Sequence, residues 1–512
     1  MDKNKRCVVV LDMGTTNCKM TLYGLCPLHI IHTEKFRTPK RCIDNMIDYA
    51  AEELWQHIWD ILGKLSALSA GHIEKIVLAS VGEMGVLIDA SGHRIGPMIA
   101  WNDSRGADYI EDLSAEQRLA IHKISGLPPH SNYSMAKIKW LETHYVKHWQ
   151  LGMCWLNLPN YIAFLLTGKR QMEYTLASRT MALDLQKGHW SHRLADLFAV
   201  PYEIFPEIAS GTVGEIQLAP KIARSLRIDP EARVLVAGHD HMAGSMAVHL
   251  QPGELLNSTG TTEGILCLKS SYPIGEAELQ AKLAGGRYID PSIYTVYGSL
   301  QAAGLSFEWF QKMYGYTAEK FHRVLSRLFE AYTSGKVDPR EKPILIPHLN
   351  GSGSPDKNVT AKGLIYGMDA RTTDMDMLFA VTQGVCMELK QLCRFYDGAG
   401  QSVIKVIGPA IRNDFWLQLK ADVLGQEILA IDIPEAVSYG ALLSAYPSLR
   451  DEIPAASVRH FFPDEKRSNY LDEVWQCYRA FYNAKIDWEH GKMHSHICTS
   501  NIRERRSQHE TG

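Results

Sequence analysis

Residues 11–24, LDMGTTNCKMTLYG, constrain the fold of this chain more than any other stretch. They continue the apolar run at 8–11, which is typical of a buried strand. Asp12 ends that run, and Gly14-Thr15-Thr16 leads into a second apolar run. A tight hairpin explains the glycine and the threonines, but it does not explain the acid. Because glycine lets the backbone approach an anion and successive N–H and hydroxyl groups can donate to it, a phosphate-binding turn is the second interpretation.

A related pattern lies near the middle of the chain. A strand predicted at 234–237 runs into Gly238-His239-Asp240, where Asp240 fits either a helix N-cap or a base that accepts a proton from a hydroxyl. His239 and His241 flank it, but two histidines without a third ligand are a poor metal signal. The following strand–turn unit at 254–266 repeats the Gly-Thr-Thr chemistry at 260–262, again as a hairpin or a phosphate turn.

The hydrophobic periodicity predicts an α/β fold, because strands and helices alternate along the chain. Strands are predicted at 7–11, 19–23, 75–78, 86–89 and 98–101, and helices at 46–65, 414–424 and 435–446. With 512 residues the chain is long enough for more than one domain. We expect an N-terminal domain at 1–250, a C-terminal domain at 251–490 and a disordered tail at 491–512.

Composition excludes several classes of protein. A net charge of -3 gives no global attraction to nucleic acid or to an anionic membrane. The ten cysteines contain no C-x-x-C pair, which favours reduced thiols over a disulfide framework. No apolar run reaches the length of a signal-peptide core or of a membrane span. We therefore expect a soluble, cytoplasmic protein with no nucleic-acid or membrane partner.

A fourth segment, Trp101-Asn102-Asp103-Ser104-Arg105, combines an aromatic face with an acid and a base after a predicted strand. Such a set suits a polyhydroxylated ligand. Taken alone, a buried tryptophan beside a surface ion pair is the better interpretation.

In their order and spacing, these segments resemble the FGGY carbohydrate kinases, the sugar and polyol branch of the actin–hexokinase–Hsp70 ATPase fold. The resemblance extends from residue 8 to about residue 488. Two further stretches, 134–141 (SMAKIKWL) and 362–368 (KGLIYGM), are similar to the family signatures, and 408–424 is similar to its adenosine-binding turn and helix.

The resemblance implies two ribonuclease-H-like domains around a central cleft, a small sugar as substrate, and ATP with Mg²⁺. Asp240 would be the catalytic base and Asp12 would orient the metal ion. The residues implied for the sugar are Glu83, Trp101, Asp103, Arg105, Asn132 and Asp240. Those implied for ATP are Gly14, Thr15, Thr16, Asn17, Lys19, Gly260, Thr261, Thr262, Gly408, Pro409, Ala410 and Asn413.

Four positions depart from the family pattern. Pro409 and Ala410 replace glycines in the adenosine turn, and proline removes an N–H donor. Gly82 stands where glycerol kinases have an arginine before the glutamate, and Asn132 where they have a tyrosine. These changes argue against glycerol, whereas 237–240 and 260–263 look more like fuculose-type ketose kinases.

The sequence predicts a kinase for a ketose or deoxyketose and leaves alternatives open. A polyol kinase for glycerol or erythritol differs only in its substrate. A weakly catalytic sugar or nucleotide sensor, or an ATPase that acts on protein partners, would keep the fold. The sequence also leaves open whether the protein forms a homodimer.

Overall fold

The computed structural model describes residues 6–44, 46–396, 403–453 and 456–491. The chain divides into two compact units. The first contains Met1–Pro252, Cys267–Tyr297 and Ile433–Ala456, and the second contains Gly253–Leu266, Gly298–Asp432 and Ser457–Gly512. The predicted domain division near residue 250 stays a prediction, and the predicted tail falls, from residue 492, outside the described residues.

The first unit is built on a six-stranded sheet. Its strands are, in spatial order, Ile216–Gln217, Arg233–His239, Ile73–Ser80, Cys7–Met13, Asn17–Leu25 and Leu28–Arg37. The three strands at Arg233–His239, Ile73–Ser80 and Cys7–Met13 are parallel to one another. The carboxyl ends of these three strands consequently meet at one edge of the sheet, where ligands bind in open α/β sheets.

Both faces of the three parallel strands are buried, which explains their continuous apolar runs. Val9 and Leu11 face a core that the Ala51–Leu68 and Leu158–Thr167 helices share. Val8 and Val10 face a second core that contains Ala243 and residues of the Ala436–Ala445 helix. Burial on both sides fixes the register of Cys7–Met13 and hence the position of Asp12.

Further short strands and helices surround this sheet. The strands are Lys40–Ile43, Met46–Tyr49, Gly85–Ile88, Arg94–Ile95, Met98–Ile99, Cys154–Asn157, Gln171–Met172, Leu183–Asp184, His189–Trp190, Glu207–Ile208 and Ala284–Arg287. The helices are Ala51–Leu68, Ala107–Glu111, Ala115–Ser125, Ser134–Tyr145, Leu158–Thr167, Tyr174–Ala177, His192–Leu197, Pro220–Leu226, Asp240–Ala247, Glu276–Gln280 and Ala436–Ala445.

The second unit has its own sheet, with the strand order Glu263–Lys269, Leu255–Thr259, Ile404–Ile407, Ile428–Asp432 and Ser457–Phe461. The strands Glu263–Lys269 and Tyr294–Leu300 contribute residues to both units. A separate two-stranded sheet pairs Ile344–Ile346 with Leu364–Tyr366. The helices are Gly304–Tyr314, Ala318–Thr333, Asp374–Cys393, Asp414–Leu424 and Glu465–Glu489.

The predicted helix at 46–65 begins later than expected. Residues Met46–Tyr49 form a strand that pairs with Lys40–Ile43 and Met98–Ile99, and the helix starts at Ala51. The segment is too short for its apolar residues Met46, Ile47 and Tyr49 to distinguish a strand from a helix, so the neighbouring strands decide its conformation. The other predicted strands and helices named above lie within one to three residues of the observed ones. Within the described ranges, no helix is both long and apolar enough to cross a bilayer.

Two helices of the first unit approach each other very closely at a glycine. A Cβ added to Gly440 would lie 1.6 Å from the carbonyl oxygen of Ala243, on the helix that begins at Asp240. Only glycine allows this separation. The contact therefore fixes the helix that carries Asp240.

We expect Gly440→Ala to destabilise the protein by about 1–3 kcal/mol, because the new methyl group overpacks this crossing. Urea unfolding measures the change. Gly63→Ala is the matched control, since Gly63 is also within a helix but an added Cβ would meet only Leu226, at 4.0 Å. Alanine there should be neutral or stabilising by up to about 1 kcal/mol. Equal effects of the two substitutions would contradict the packing argument.

Candidate active site

The turn at Gly14-Thr15-Thr16 lies at the edge where the three parallel strands end. The amide of Gly14 donates to the carbonyl of Asn17 at 3.1 Å, and an added Cβ on Gly14 would lie 2.9 Å from that oxygen. Thr16 and Asn17 are exposed, whereas the hydroxyl of Thr15 accepts a hydrogen bond from the indole N–H of Trp101 at 3.1 Å. The turn thus places a glycine and polar side chains next to the indole ring of Trp101.

Asp12 and Asp240 interact at this edge. Burial raises the pKa of Asp12 to about 7, the charge of Asp240 acts in the same direction, and Lys19 opposes the rise. Two carboxylates in one poorly solvated place repel each other, so a cation there would stabilise both.

Lys19 forms an ion pair within the same unit. Its ammonium group lies 2.5 Å from a carboxylate oxygen of Glu435, the residue before the Ala436–Ala445 helix. Lys19 was predicted to contact the nucleotide, and that role stays a prediction. The ion pair shows that Lys19 also ties the first hairpin to a segment near the end of the chain.

A β-bulge sets the direction of the backbone just before Asp240. The register of Arg233–His239 against Ile73–Ser80 shifts between Val236 and Gly238, and Gly238 has a φ of +110°. A Cβ on Gly238 would lie 2.3 Å from the hydroxyl of Thr175, which accepts from the amide of His239 at 2.8 Å. Glycine is therefore required at 238, and the bulge turns the chain into the helix that starts at Asp240.

The carboxylate of Asp240 is oriented by its neighbours. Its Oδ1 accepts from the amide of His241 at 2.7 Å and lies 3.1 Å from Nδ1 of His239. Burial lowers the pKa of His239 to about 4, so the ring is neutral at physiological pH although Asp240 opposes that shift. Asp240 keeps a second oxygen for a substrate.

Glu83 has an arginine partner that the sequence analysis missed. Nε of Arg179 donates to Oε1 of Glu83 at 2.8 Å, and an Nη of the same guanidinium lies 2.7 Å from that oxygen. Gly82 makes room for this pair, because an added Cβ would lie 3.0 Å from Cγ of Arg179 and 2.0 Å from Cδ2 of His239. The arginine that is absent at position 82 is thus supplied from another part of the chain.

The predicted sugar-contact segment is held by internal bonds. Asp103 is 2% exposed, and its oxygens accept from Arg105 and from the amide of Ile47 at 2.6 Å. The guanidinium of Arg105 also pairs with Asp48 and stacks 5.0 Å from the ring of Trp140. These contacts give Asp103 and Arg105 a role in shaping the segment, and their direct contact with a sugar stays a prediction.

Lys137 joins the Trp101 segment to the loop that carries Asn132. Its ammonium donates to the carbonyls of Ser131 at 2.7 Å and Trp101 at 3.3 Å, and the side chain is wholly buried. Burial lowers the pKa of Lys137 to about 7. Asn132 remains partly exposed beside this bridge. The lysine lies in the 134–141 stretch, whose pattern alone does not reveal this bridging role.

In the second unit, the turns at 258–262 and 408–412 touch each other. The hydroxyl of Thr259 donates to the carbonyl of Ile407 at 2.8 Å and accepts from the amide of Ala410 at 3.1 Å. An added Cβ on Gly408 would lie 2.1 Å from the carbonyl oxygen of Thr259. Thr261 and Thr262 are exposed, so their hydroxyls can meet a ligand.

The unusual 408–412 turn is well formed. Pro409 is the first residue of a 3₁₀ helix, Pro409–Arg412, where its missing N–H would have had no partner within that helix. Ala410 is buried, and Asn413 caps the next helix by accepting from the amide of Trp416 at 3.0 Å. The substitution of glycine by Pro409 is therefore accommodated locally.

A buried ion pair supports the second turn. Lys420 is wholly buried, pairs with Glu263 and donates to the side-chain oxygen of Asn257 at 2.5 Å. Glu263 follows Thr262 directly, so this pair fixes the start of the strand that leaves the turn. Breaking a buried pair leaves an uncompensated charge, which makes the contact a strong constraint.

The carboxylates of Asp12 and Asp240 and the glycine–threonine turns have the chemistry that MgATP requires of a site. A carboxylate near a second carboxylate suits hydrated Mg²⁺, which takes few protein ligands and keeps several waters. No larger His, Cys, Asp and Glu cluster suited to a metal ion occurs in the described part of the chain. In the first unit, the turn at Gly14 with the exposed Thr16 has groups that suit a phosphate, and in the second unit the turn at Gly260 with the exposed Thr261 and Thr262 does as well.

Comparison with family models identifies the chain. Residues 7–247 match the N-terminal domain of the FGGY family of carbohydrate kinases, and residues 255–448 match its C-terminal domain. The chain belongs to the FGGY family of carbohydrate kinases. This protein is therefore a carbohydrate kinase, a phosphotransferase, with the two-domain fold of the actin-like ATPases.

The similar proteins within the FGGY family act on different acceptors. Xylulose kinase of Staphylococcus xylosus is 23% identical over 78% of this chain and 83% of its own. A gluconate kinase structure from Lactobacillus acidophilus has a TM-score of 0.84 at 20% identity and covers 94% of this chain and 98% of its own. The structure of Plasmodium falciparum glycerol kinase with ADP has a TM-score of 0.81 at 18% identity, and the match covers 93% of this chain and 98% of that chain.

We expect Asp12→Asn to become more stable than the natural protein as pH rises. The folded pKa of about 7 exceeds the ordinary 3.8, so the folded state keeps a proton that the unfolded state has released. As the pH rises from about 4 to 7, the natural protein thus progressively loses stability relative to Asp12→Asn, whose asparagine stays neutral. Thermal unfolding in EDTA should show a gap of several degrees at pH 8 that nearly closes at pH 4.5.

If Asp12 holds the ion, added Mg²⁺ at pH 8 should reduce the difference in melting temperature between Asp12→Asn and the natural protein. Asp89→Asn is the control, because the amide of His93 holds the pKa of that exposed carboxyl below its usual range. Parallel curves for Asp12→Asn and the natural protein at all pH values would contradict the raised pKa.

Thr259 holds together the turns at 258–262 and 408–412, which are predicted to bind ATP. Valine at this position would leave the buried amide of Ala410 and carbonyl of Ile407 unpaired, so we expect Thr259→Val to raise the KM for ATP. An unpaired buried group costs about 1–3 kcal/mol, which should also lower the melting temperature. Thr382→Val is the control, since that buried hydroxyl only donates to a carbonyl within its own helix. Equal KM values for the two variants would show that the turns act independently.

Proposed function

We propose that this kinase transfers the γ-phosphate of ATP to a hydroxyl of a small ketose or deoxyketose, with Asp240 as general base. The observation that carries the proposal is the meeting of Asp240, Asp12 and the 14–16 turn at one sheet edge. A base, a metal-binding carboxylate and a phosphate turn are the parts that phosphoryl transfer needs.

Each part of the chain has a defined task in this proposal. Asp240 accepts the proton of the sugar hydroxyl, and the amide of His241 holds its other oxygen. Asp12 binds the hydrated metal ion. The exposed hydroxyl of Thr16 donates to a phosphate oxygen. MgATP, when bound, supplies the phosphoryl group and the positive charge that stabilises its transfer.

The similar proteins support a small polyhydroxylated acceptor. The S. xylosus relative is a xylulose kinase, and xylulose is a ketose. The P. falciparum glycerol kinase structure is a complex with ADP, the product that ATP leaves after transfer. A polyol kinase is the second candidate, because Arg179 gives Glu83 the arginine whose absence at position 82 argued against glycerol.

Coupled ADP release against a panel of acceptors tests the proposal. The panel contains ketopentoses, 6-deoxyketoses, ketohexoses, pentitols, tetritols and glycerol. We expect the highest kcat/KM with a ketose. A preference for glycerol or a tetritol would move the assignment to the polyol class, and release of ADP that no acceptor stimulates would contradict a sugar kinase.

Asp240→Asn should lower kcat by about 10²–10⁴-fold, because the amide cannot accept the proton. Circular dichroism checks that the fold is kept. Asp374→Asn is the matched control, since Asp374 also opens a helix but receives only the hydroxyl of Tyr316, at 2.8 Å. Full turnover in Asp240→Asn would remove the base assignment.

A further inference from the structure

Glu83 and Arg179 form a pair at the sheet edge where the proposed base lies. Glu83 follows the strand Ile73–Ser80 by three residues, and Arg179 follows the short helix Tyr174–Ala177. Their side chains are 12% and 9% exposed. The pair is therefore largely withdrawn from bulk water while keeping access to one side.

The pair leaves hydrogen-bonding capacity on both partners. The guanidinium approaches Oε1 of Glu83 through Nε at 2.8 Å and through an Nη at 2.7 Å. Oε2 lies 3.9 Å from Nε2 of His239, which is beyond a hydrogen bond. A guanidinium has five N–H donors, so others remain for an acceptor atom. Oε2 of Glu83 and the remaining N–H groups of Arg179 are thus the atoms of the pair that a ligand could contact.

The positions of both groups are fixed by packing. The guanidinium of Arg179 stacks 5.1 Å from the ring of Tyr133, and the glycine at 82 admits the arginine stem. Burial would raise the pKa of Glu83, but the charge of Arg179 holds it below its usual range. Glu83 consequently stays an acceptor.

One imidazole connects this pair to Asp240. His239 faces Oε2 of Glu83 through Nε2 and Oδ1 of Asp240 through Nδ1 at 3.1 Å. The ring of His241 lies 5.2 Å from that ring and is tilted against it, and the ring of Tyr297 lies 5.3 Å from that of His241. A sugar that reaches Asp240 with one hydroxyl can therefore place another part against Glu83 and Arg179.

We propose that Arg179 is a specificity-determining residue, which together with Glu83 binds a hydroxyl and a neighbouring oxygen of the acceptor. Glu83 accepts from the hydroxyl, and Arg179 donates to the adjacent hydroxyl or carbonyl oxygen. The inference rests on the proposed kinase function, because it names the acceptor chemistry of the same site. It selects acceptors with two oxygens on adjacent carbons away from the reacting hydroxyl.

The test compares D-xylulose with its 1-, 3- and 4-deoxy analogues, and xylitol with glycerol, in the natural protein and in Arg179→Met. We expect Arg179→Met to raise the KM for D-xylulose by about 10- to 150-fold, the range for a lost hydrogen bond to a charged group. The KM for ATP should stay unchanged. The natural protein should discriminate against at least one deoxy analogue, and the variant should lose most of that discrimination.

Arg179→Lys and Arg170→Met complete the series. Lysine keeps the charge without the planar fork, so it should recover part of the affinity. Arg170 donates to backbone carbonyls of Gly152 and Ala90 and stacks near Phe164, so its substitution should leave acceptor discrimination unchanged. A merely structural role for Arg179 would lower stability and leave the ratio between xylulose and its analogues intact, which would overturn the inference.

Calorimetric binding of the same acceptors separates the inference from the proposed function. If the natural protein binds xylulose or xylitol but turns over no ketose of the panel, the proposed ketose specificity fails, and the binding ratios in Arg179→Met still judge the inference. If it binds none of these acceptors, both fail. If Arg179→Met does not fold, Glu83→Gln takes its place, and unchanged analogue ratios in that variant would likewise overturn the inference.

Discussion

The parallel pairing of three buried strands sets the geometry on which the rest of the first unit depends. Cys7–Met13, Ile73–Ser80 and Arg233–His239 end at the same edge, so residues far apart in sequence come together there. Because their side chains pack closely in a core on each face, a slip in register would disturb the packing of both cores at once. The turn after the first strand, the glutamate after the second and the aspartate after the third are consequently held in one place.

Buried charge at this edge is stabilised in different ways. Glu83 has an arginine partner and stays ionised. Asp12 has no comparable compensation for its burial, so its pKa rises to about 7. Glu173 lies behind the bulge, where burial raises its pKa to about 7 while backbone and hydroxyl groups near Thr175 donate to it. Of the two carboxyl groups with raised pKa values, Asp12 is the one that faces a second carboxylate, Asp240, and the one proposed to hold a metal ion.

Local sequence patterns were sufficient for the three central parallel strands and for the hairpin turns at 14–16 and 260–262, because each is built from consecutive residues. They were sufficient for the family and its fold as well. The Glu83–Arg179 pair could not be predicted, since its partners are 96 residues apart and neither has a distinctive neighbourhood. Gly82 before an acid was the one signal available, and it was interpreted only as a missing arginine. Likewise, Lys420 and Glu263 meet across 157 residues, and the conformation of Met46–Tyr49 was decided by its strand neighbours.

The return of Ile433–Ala456 to the first unit affects the order in which the molecule can be completed during synthesis. The helix at Asp240–Ala247 needs Gly440 and its neighbours to cover one side, and Lys19 needs Glu435. Chains emerge from the ribosome with the N-terminus first, and domains usually fold as they appear. Here the first unit has to wait for a segment that is made only after Gly298–Asp432 of the second unit. A truncated chain would therefore lack a properly supported Asp240 even though every residue of the proposed sugar site had already been made.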